Sequence, residues 1–237
     1  MSDRKAAAEG PPIRDAATVI VLRDRDTRPR VLMGQRGAKA AFMPNKFVFP
    51  GGAVDAGDRA VPLATPLTPV CTARLEDDAP SGIAHSLAVA AIRELWEETG
   101  QLLGRRAPWP DAVPTDWLPF AGAGLRPSAE HLQFVFRAIT PPGRPRRFDA
   151  RFFLLDAEAL VSDPDNFSEA EDELAHLQWI ELDRVRDFDL PFITEVVLAE
   201  VAARARDEAP PESVPFFHNG AEESLFLRLH GKPMRED

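Results

Sequence analysis

The sequence predicts an α/β protein, a mixed sheet covered by helices on both faces. Three observations lead there. Short runs rich in β-branched and aromatic residues recur along the chain. Helical stretches lie among those runs rather than apart from them, the order that covers a sheet on two sides. The 237 residues, 44% hydrophobic and 28% charged, can bury a sizeable core. One domain over residues 15–237 is expected, behind a mobile, polar, Ala/Pro-rich segment at 1–14.

Residues 17–22 and 31–36 read as a first strand pair, turned by the charged stretch 24–30 with Pro29. A loop at 37–46 leads into a strand at 47–49. The stretch 59–85 carries Pro62, Pro66, Pro69 and Pro80, so it reads as mostly non-helical, with one short helical turn near 72–76. A helix follows at 86–99, with Ser86 as N-cap and Gly100 as its stop. Residues 115–123 read as a short helix closed by Gly124. Strands at 132–139 and 148–155 are joined by a Pro/Gly/Arg turn at 141–147. An acidic loop at 162–172 precedes a strand at 174–180 and a long amphipathic helix at 192–207. Two short apolar strands, 214–217 and 225–229, close the pattern.

The most informative stretch is Arg93-Glu94-Leu95-Trp96-Glu97-Glu98-Thr99-Gly100. Its glutamates stand at helical positions i, i+3 and i+4, within about a 100° arc of one face. Ala88, Ala91, Ile92 and Leu95 form the neighbouring apolar stripe. Brought close enough to share a site, each pair of these carboxylates repels by up to about 4 kcal/mol at an effective dielectric near 20. A divalent cation removes that cost, and hard cations take oxygen ligands. Upstream, Phe47-Val48-Phe49 runs into Pro50-Gly51-Gly52, a tight turn that brings bare backbone close to its surroundings, followed by Asp55 and Asp58.

Together the two halves resemble the box of the Nudix hydrolases: Gly, five residues, Glu, seven residues, then Arg-Glu-U-x-Glu-Glu-x-Gly-U, with U a bulky apolar residue. Gly52 takes the first position, Asp58 the first acid, and Arg93, Glu94, Leu95, Glu97, Glu98 and Gly100 the others. Asp58 replaces the usual Glu, and Gln101 occupies the last apolar position, so Leu102 is expected to do the packing there. Between Asp58 and Arg93 lie 34 residues (59–92) where the family has seven, 27 more. Closure entropy grows slowly with loop length, so the box tolerates the insertion, placed at about 59–85. A split box of this kind resembles the subgroup of peroxisomal CoA-diphosphatase-type Nudix proteins, as do the approach at 42–52 and the hairpin at 139–153.

The resemblance implies a Nudix-type α/β/α sandwich and hydrolysis of the diphosphate linkage in a nucleoside diphosphate derivative, CoA or acyl-CoA among the candidates. It implies Mg²⁺ or Mn²⁺ held by Glu94, Glu97 and Glu98, with the Gly51 carbonyl as a further ligand. Such cations neutralise phosphate charge and activate water. Arg93 is expected to orient the acids by ion pairing, and Asp58 to stand behind them. Glu94 is the first choice of general base and Glu173, in a Glu-x5-Trp-Ile stretch, the second. Arg126, Arg147 and Arg151 are candidate diphosphate clamps, because guanidinium forks match phosphate oxygens. For Arg151, a structural pair with Asp149 on the same strand face explains the residue almost as well. The alternative reading is a Nudix-fold nucleotide sensor or interaction domain without turnover, although such domains normally lose box carboxylates and all three survive here.

The formal net charge of −10 argues against nonspecific binding to nucleic acid or anionic membranes. The expected partner is a small-molecule nucleoside diphosphate, with a homodimer left open. Cys71 is the only cysteine, so no internal disulfide forms and a reducing compartment, by default the cytoplasm, is expected.

Overall fold

The computed structural model describes residues 11–40, 42–207, 209–219 and 223–231. Among them, nine strands form one mixed sheet and two more form a small ribbon. The expected mobile segment at 1–14 falls largely outside the described residues, and its end is ordered, because the first strand, β1, is Ile13–Arg23. The remaining strands are β2 (Arg30–Arg36), β3 (Phe47–Val48), β4 (Gly51–Ala53), β5 (Gly104–Arg106), β6 (Leu125–Pro127), β7 (Gln133–Ile139), β8 (Arg147–Asp156), β9 (Leu174–Glu181), β10 (Val214–Asn219) and β11 (Ser224–Leu229). The helices are α1 (Pro69–Leu75), α2 (Ile83–Thr99), α3 (Leu118–Gly122) and α4 (Phe192–Arg204).

The long spine of the sheet is β1 beside β8, parallel from Ile13↔Arg147 to Leu22↔Asp156. Beyond β8 lie β7, β10 and β11. On its other edge β1 meets β2 only at Leu22↔Val31 and Arg23↔Arg30. Past that point the two strands diverge, because the outer edge of β2 stays paired with β9. The segment 47–53 fills the fork. β3 pairs with β2 at Gly34 and Gln35, and β4 pairs with β1 at Ala16, Ala17 and Thr18. The double glycine thereby sits inside the sheet and under a helix, not on a surface turn.

The period-two alternation of β1 divides the interior. Ala17, Val19 and Val21 face one hydrophobic cluster, built around α2. Ile20 and Leu22 face the other, which packs α4 through Val197, Leu198 and Val201. The sheet is thus covered on both sides, as its alternating pattern requires.

Two expectations need correction. Helix α2 starts at Ile83 behind Gly82, which is left-handed at φ 81°, and no side chain caps it. Ser86 is buried in the next turn, because the apolar face extends upstream of it. The helix is also not a one-striped surface helix. Leu87, Ala88, Val89, Ala90, Ala91 and Ile92 are all fully buried. Part of the cover comes from the insertion, whose Val61, Leu67, Cys71 and Leu75 join the same cluster. Each fully buried aliphatic side chain contributes roughly 1.5–3 kcal/mol of transfer free energy.

The insertion is held at both ends. Its backbone meets β6 and the turn after it, with Ala64 N–H donating to the Pro127 carbonyl and Ala129 N–H to Thr65. Its helix α1 is capped by the Thr68 side chain, and Pro69 takes the first turn. Arg137 on β7 donates to the Asp77 and Asp78 carbonyls just past α1, where a cation suits the helix dipole. Among the described residues, no helix is long and apolar enough to cross a membrane.

Candidate active site

The site is assembled where the last two turns of α2 pass over β4. Gly52 has no side chain because Glu94 occupies its space: a Cβ there would lie 2.4–2.5 Å from the Glu94 carboxylate. Gly51 is equally confined, its missing Cβ falling 2.5 Å from the Ala17 carbonyl oxygen. Two glycines therefore let the helix descend until its acids touch the sheet backbone. Gly51 N–H donates to Glu98 Oε2 at 2.7 Å. The other oxygen of Glu98, Oε1, is buried and has no hydrogen-bond partner among the described residues. A residue 2% exposed with one carboxylate oxygen unsatisfied is a costly arrangement unless something else binds it.

Arg93 organises the rest. Its Nη1 donates to Glu94 at 2.8 Å and to Glu97 at 3.0 Å. Its Nε and Nη2 donate to both oxygens of Asp58 at 3.1 and 3.2 Å, and Nη2 also to the Ala53 carbonyl. Asp58, 2% exposed, closes its own turn by accepting from Asp55 N–H. The two halves of the motif, far apart in sequence, are thus joined through one guanidinium. Burial works against the charge on Arg93, but Asp58, Glu94 and Glu97 outweigh it and raise its pKa.

The three glutamates titrate abnormally. Burial pushes the Glu94 carboxyl up to about 7 despite the relief from Arg93. Burial also raises Glu97, with Glu171 and Asp116 adding repulsion. Glu98 is raised well above its ordinary value, by burial first and then by Glu94 and Glu173, against the relief given by Gly51 N–H and Arg36. Buried acids held at one face with raised pKa values mark a functional site more often than a structural one.

Glu173 stands beside this group, with its Oε1 bonded to Arg36 Nη2 at 2.9 Å. Arg36 is a site neighbour to which no motif in the sequence points. Arg36 ends β2 and Glu173 directly precedes β9, so only the pairing Arg36↔Leu174 brings the two together.

The three clamp candidates do not gather at the acids. Arg126 on β6 donates to the Pro108 carbonyl at 2.6 Å. Arg147 donates to the carbonyls of Thr140 and Asn219 at the start of β8. Arg151 is 1% exposed and enclosed between Asp15 and Asp149, so no diphosphate reaches its guanidinium in this conformation. The structural ion pair, not the clamp, describes Arg151. Phe216 is fully buried under the Arg137 guanidinium at 4.2 Å.

A hard divalent cation fits the donors present: carboxylate oxygens on one helix face, one of them buried and unsatisfied. The cage is not closed as the side chains stand. Among the described residues no three acid, thiol or imidazole groups converge on a single point, because Glu94 and Glu97 are turned onto Arg93.

No family model matches the chain. A Caenorhabditis elegans protein named nudix hydrolase 7 is 33% identical in an alignment of 178 residues that covers 70% of this chain and 51% of that protein. The chain spans about half the length of the curated relative it matches. Among solved structures, a NUDIX hydrolase from Alicyclobacillus acidocaldarius is similar with a TM-score of 0.61 and 27% identity, across 84% of this chain and 95% of that one.

Proposed function

We propose that this chain, whose fold is that of the Nudix hydrolases, is a metal-dependent hydrolase that cleaves the diphosphate linkage of a nucleoside diphosphate derivative. The observation that carries the reading is the unsatisfied, buried oxygen of Glu98 at a three-glutamate face pressed onto the double glycine. Glu94, Glu97, Glu98 and the Gly51 carbonyl would hold Mg²⁺ or Mn²⁺. When bound, such a cation supplies charge neutralisation at the diphosphate and polarises its oxygens.

The protein's own groups then have separable duties. Gly51 N–H fixes one oxygen of Glu98 and leaves the other pointing inward. Arg93 holds Glu94 and Glu97 on one side while Asp58 fixes Arg93 from the other. Glu94, with its carboxyl near 7, is matched to taking a proton from an attacking water at neutral pH. Glu173 is the second candidate, steadied by Arg36. The split box also keeps CoA and acyl-CoA among the substrates to be tried, and the lone cysteine suits a reducing cytoplasm.

The deciding measurement is a turnover panel with ADP-ribose, dinucleoside polyphosphates, CoA and acyl-CoA, each with and without Mg²⁺ or Mn²⁺. The expected result is cleavage at the diphosphate of at least one compound, abolished by chelator. Ligand binding without turnover would favour a sensor, and failure to bind either cation would overturn the metal assignment.

A pH prediction follows for the cation-free protein. The native state binds the Glu94 proton more tightly than the unfolded chain, whose ordinary value is 4.5. Its contribution to stability is therefore full below about pH 4.5 and is lost as pH rises through about 7. The loss is on the order of 3 kcal/mol. Thermal melts in chelator should fall between pH 5 and pH 8, and Mg²⁺ should restore much of the difference. Glu94→Gln should flatten the profile; an unchanged slope in that variant would dismiss Glu94 as its source.

A further inference from the structure

Gln101 stands where the box resemblance calls for a bulky apolar residue, and the structure gives it a different occupation. It is fully buried directly after the left-handed Gly100. Its Nε2 donates to the Asn166 carbonyl at 2.8 Å and to the Asp163 carbonyl at 3.3 Å. Its Oε1 accepts from Ser162 Oγ at 2.8 Å, and that same oxygen accepts from Leu102 N–H at 2.9 Å. Both ends of the amide are spent on the loop at 162–173. The packing expected at this place is done by its neighbours, Leu103 buried in the core and Leu102 partly so.

That loop also reaches the end of the acidic helix. Glu171 N–H donates to the Glu97 carbonyl at 2.8 Å, taking up an otherwise free helix-terminal acceptor. Glu169 Cβ and Ala170 N lie 3.2 and 3.3 Å from where a Cβ on Gly100 would be, so the loop closes tightly over the helix stop. Its far end delivers Glu173 to Arg36. Trp179 Nε1 donates to the Pro164 carbonyl and Arg23 pairs with Asp165, in the same first part of the loop that Gln101 grips, while Glu171 N–H ties the later part to α2.

We propose that Gln101 is a positioning residue: its side-chain amide pins the 162–173 loop to the end of α2 and so fixes Glu171 and Glu173 beside the three box glutamates. The catalytic half of this statement rests on the diphosphatase reading above. The docking half rests on the hydrogen bonds alone. An apolar side chain of similar size would fill the same space but take the amide donor from the Asn166 carbonyl and the acceptor from the Ser162 hydroxyl, and leave the Asp163 carbonyl with Asn166 N–H alone. A misplacement of about 1 Å at a group acting on a reacting centre costs on the order of a hundredfold in rate at the extreme, so a loosened loop is expected to show in kcat.

The test compares wild type with Gln101→Met, Gln101→Leu and the milder Ser162→Ala, each in the full chain. Amide exchange across 162–173 is expected to accelerate by about tenfold or more in the Gln101 variants, while residues 87–95 of α2 keep their protection. On the substrate the panel identifies, kcat should fall by about tenfold with KM within about twofold of wild type. Ser162→Ala, which removes the two hydrogen bonds of Ser162 Oγ but keeps both bonds from Gln101 Nε2 and loses no core volume, should move both readouts the same way by less. Unchanged loop exchange overturns the docking. Faster loop exchange with unaltered kcat and KM overturns the catalytic consequence. A wild type that cleaves no diphosphate removes the functional reading, and loop exchange then decides the docking by itself.

Discussion

With Glu98 replaced by Gln, kcat is expected to fall by about two to three orders of magnitude while the folded protein is retained. The carboxylate is buried, one of its oxygens accepts from Gly51 N–H and the other has no hydrogen-bond partner among the described residues. An amide keeps the shape and can still accept from Gly51, but it offers a cation one neutral oxygen in place of a charge. The same change relieves the cation-free protein, because burial and the neighbouring acids hold the Glu98 carboxyl well above its ordinary value. Without metal and at alkaline pH, the variant should therefore melt no lower than wild type, and higher once the native carboxyl would ionise. Activity lost and stability kept is the signature of a group retained for chemistry. Steady-state kinetics with Mg²⁺ and paired melts in chelator decide it: a loss under tenfold, or a large drop in melting temperature, would sink the assignment.

Replacing Arg93 with Met should do the opposite to stability. Its guanidinium contacts Asp58, Glu94, Glu97 and the Ala53 carbonyl, and lies 3.8 Å from Asp55. Removing one partner of a buried charge network costs about 3–5 kcal/mol, since the remaining charges are left uncompensated. At roughly 2–4 °C per kcal/mol for a chain of this size, melting should fall by about 10 °C. Pairing the change with Asp58→Asn should recover part of the loss, because the most deeply buried of the stranded acids becomes neutral. Denaturant titrations of the two single variants and the double variant measure that coupling. A single variant within about 1 °C of wild type would show that Arg93 is not the tie between the two halves of the motif.

What was legible in the sequence followed from local chemistry. The strands at 132–139 and 148–155 are found within a residue or so, since β-branched and aromatic runs there are bounded by turn residues. Gly100 ends the acidic helix in the left-handed conformation as its position suggested. Less was legible where the outcome depends on remote partners. β4 is three residues long, holds two glycines, and exists because the divergence of β1 and β2 leaves an edge to be filled. The small ribbon of β5 and β6 has the same character. At the site, the acids of α2 were visible from spacing alone. Arg36 was not, because its approach to Glu173 depends on register between strands 138 residues apart, with a shift at Met33/Gln35. Side-chain chemistry alone points to arginines as clamps and does not distinguish a guanidinium open to ligand from one sealed against Asp15 and Asp149.

The 27 extra residues have a consequence for anyone hoping to trim the chain to a compact core. Excising them would strip Leu67, Cys71 and Leu75 off the helix bearing the glutamates, and would free Arg74 from the Glu212 carbonyl and Gly231 N–H from Asp77. The segment behaves as a wall shared between the acidic site and the C-terminal strands. A shortened version would need new apolar mass in the vacated volume before its glutamates could be expected to stay in place.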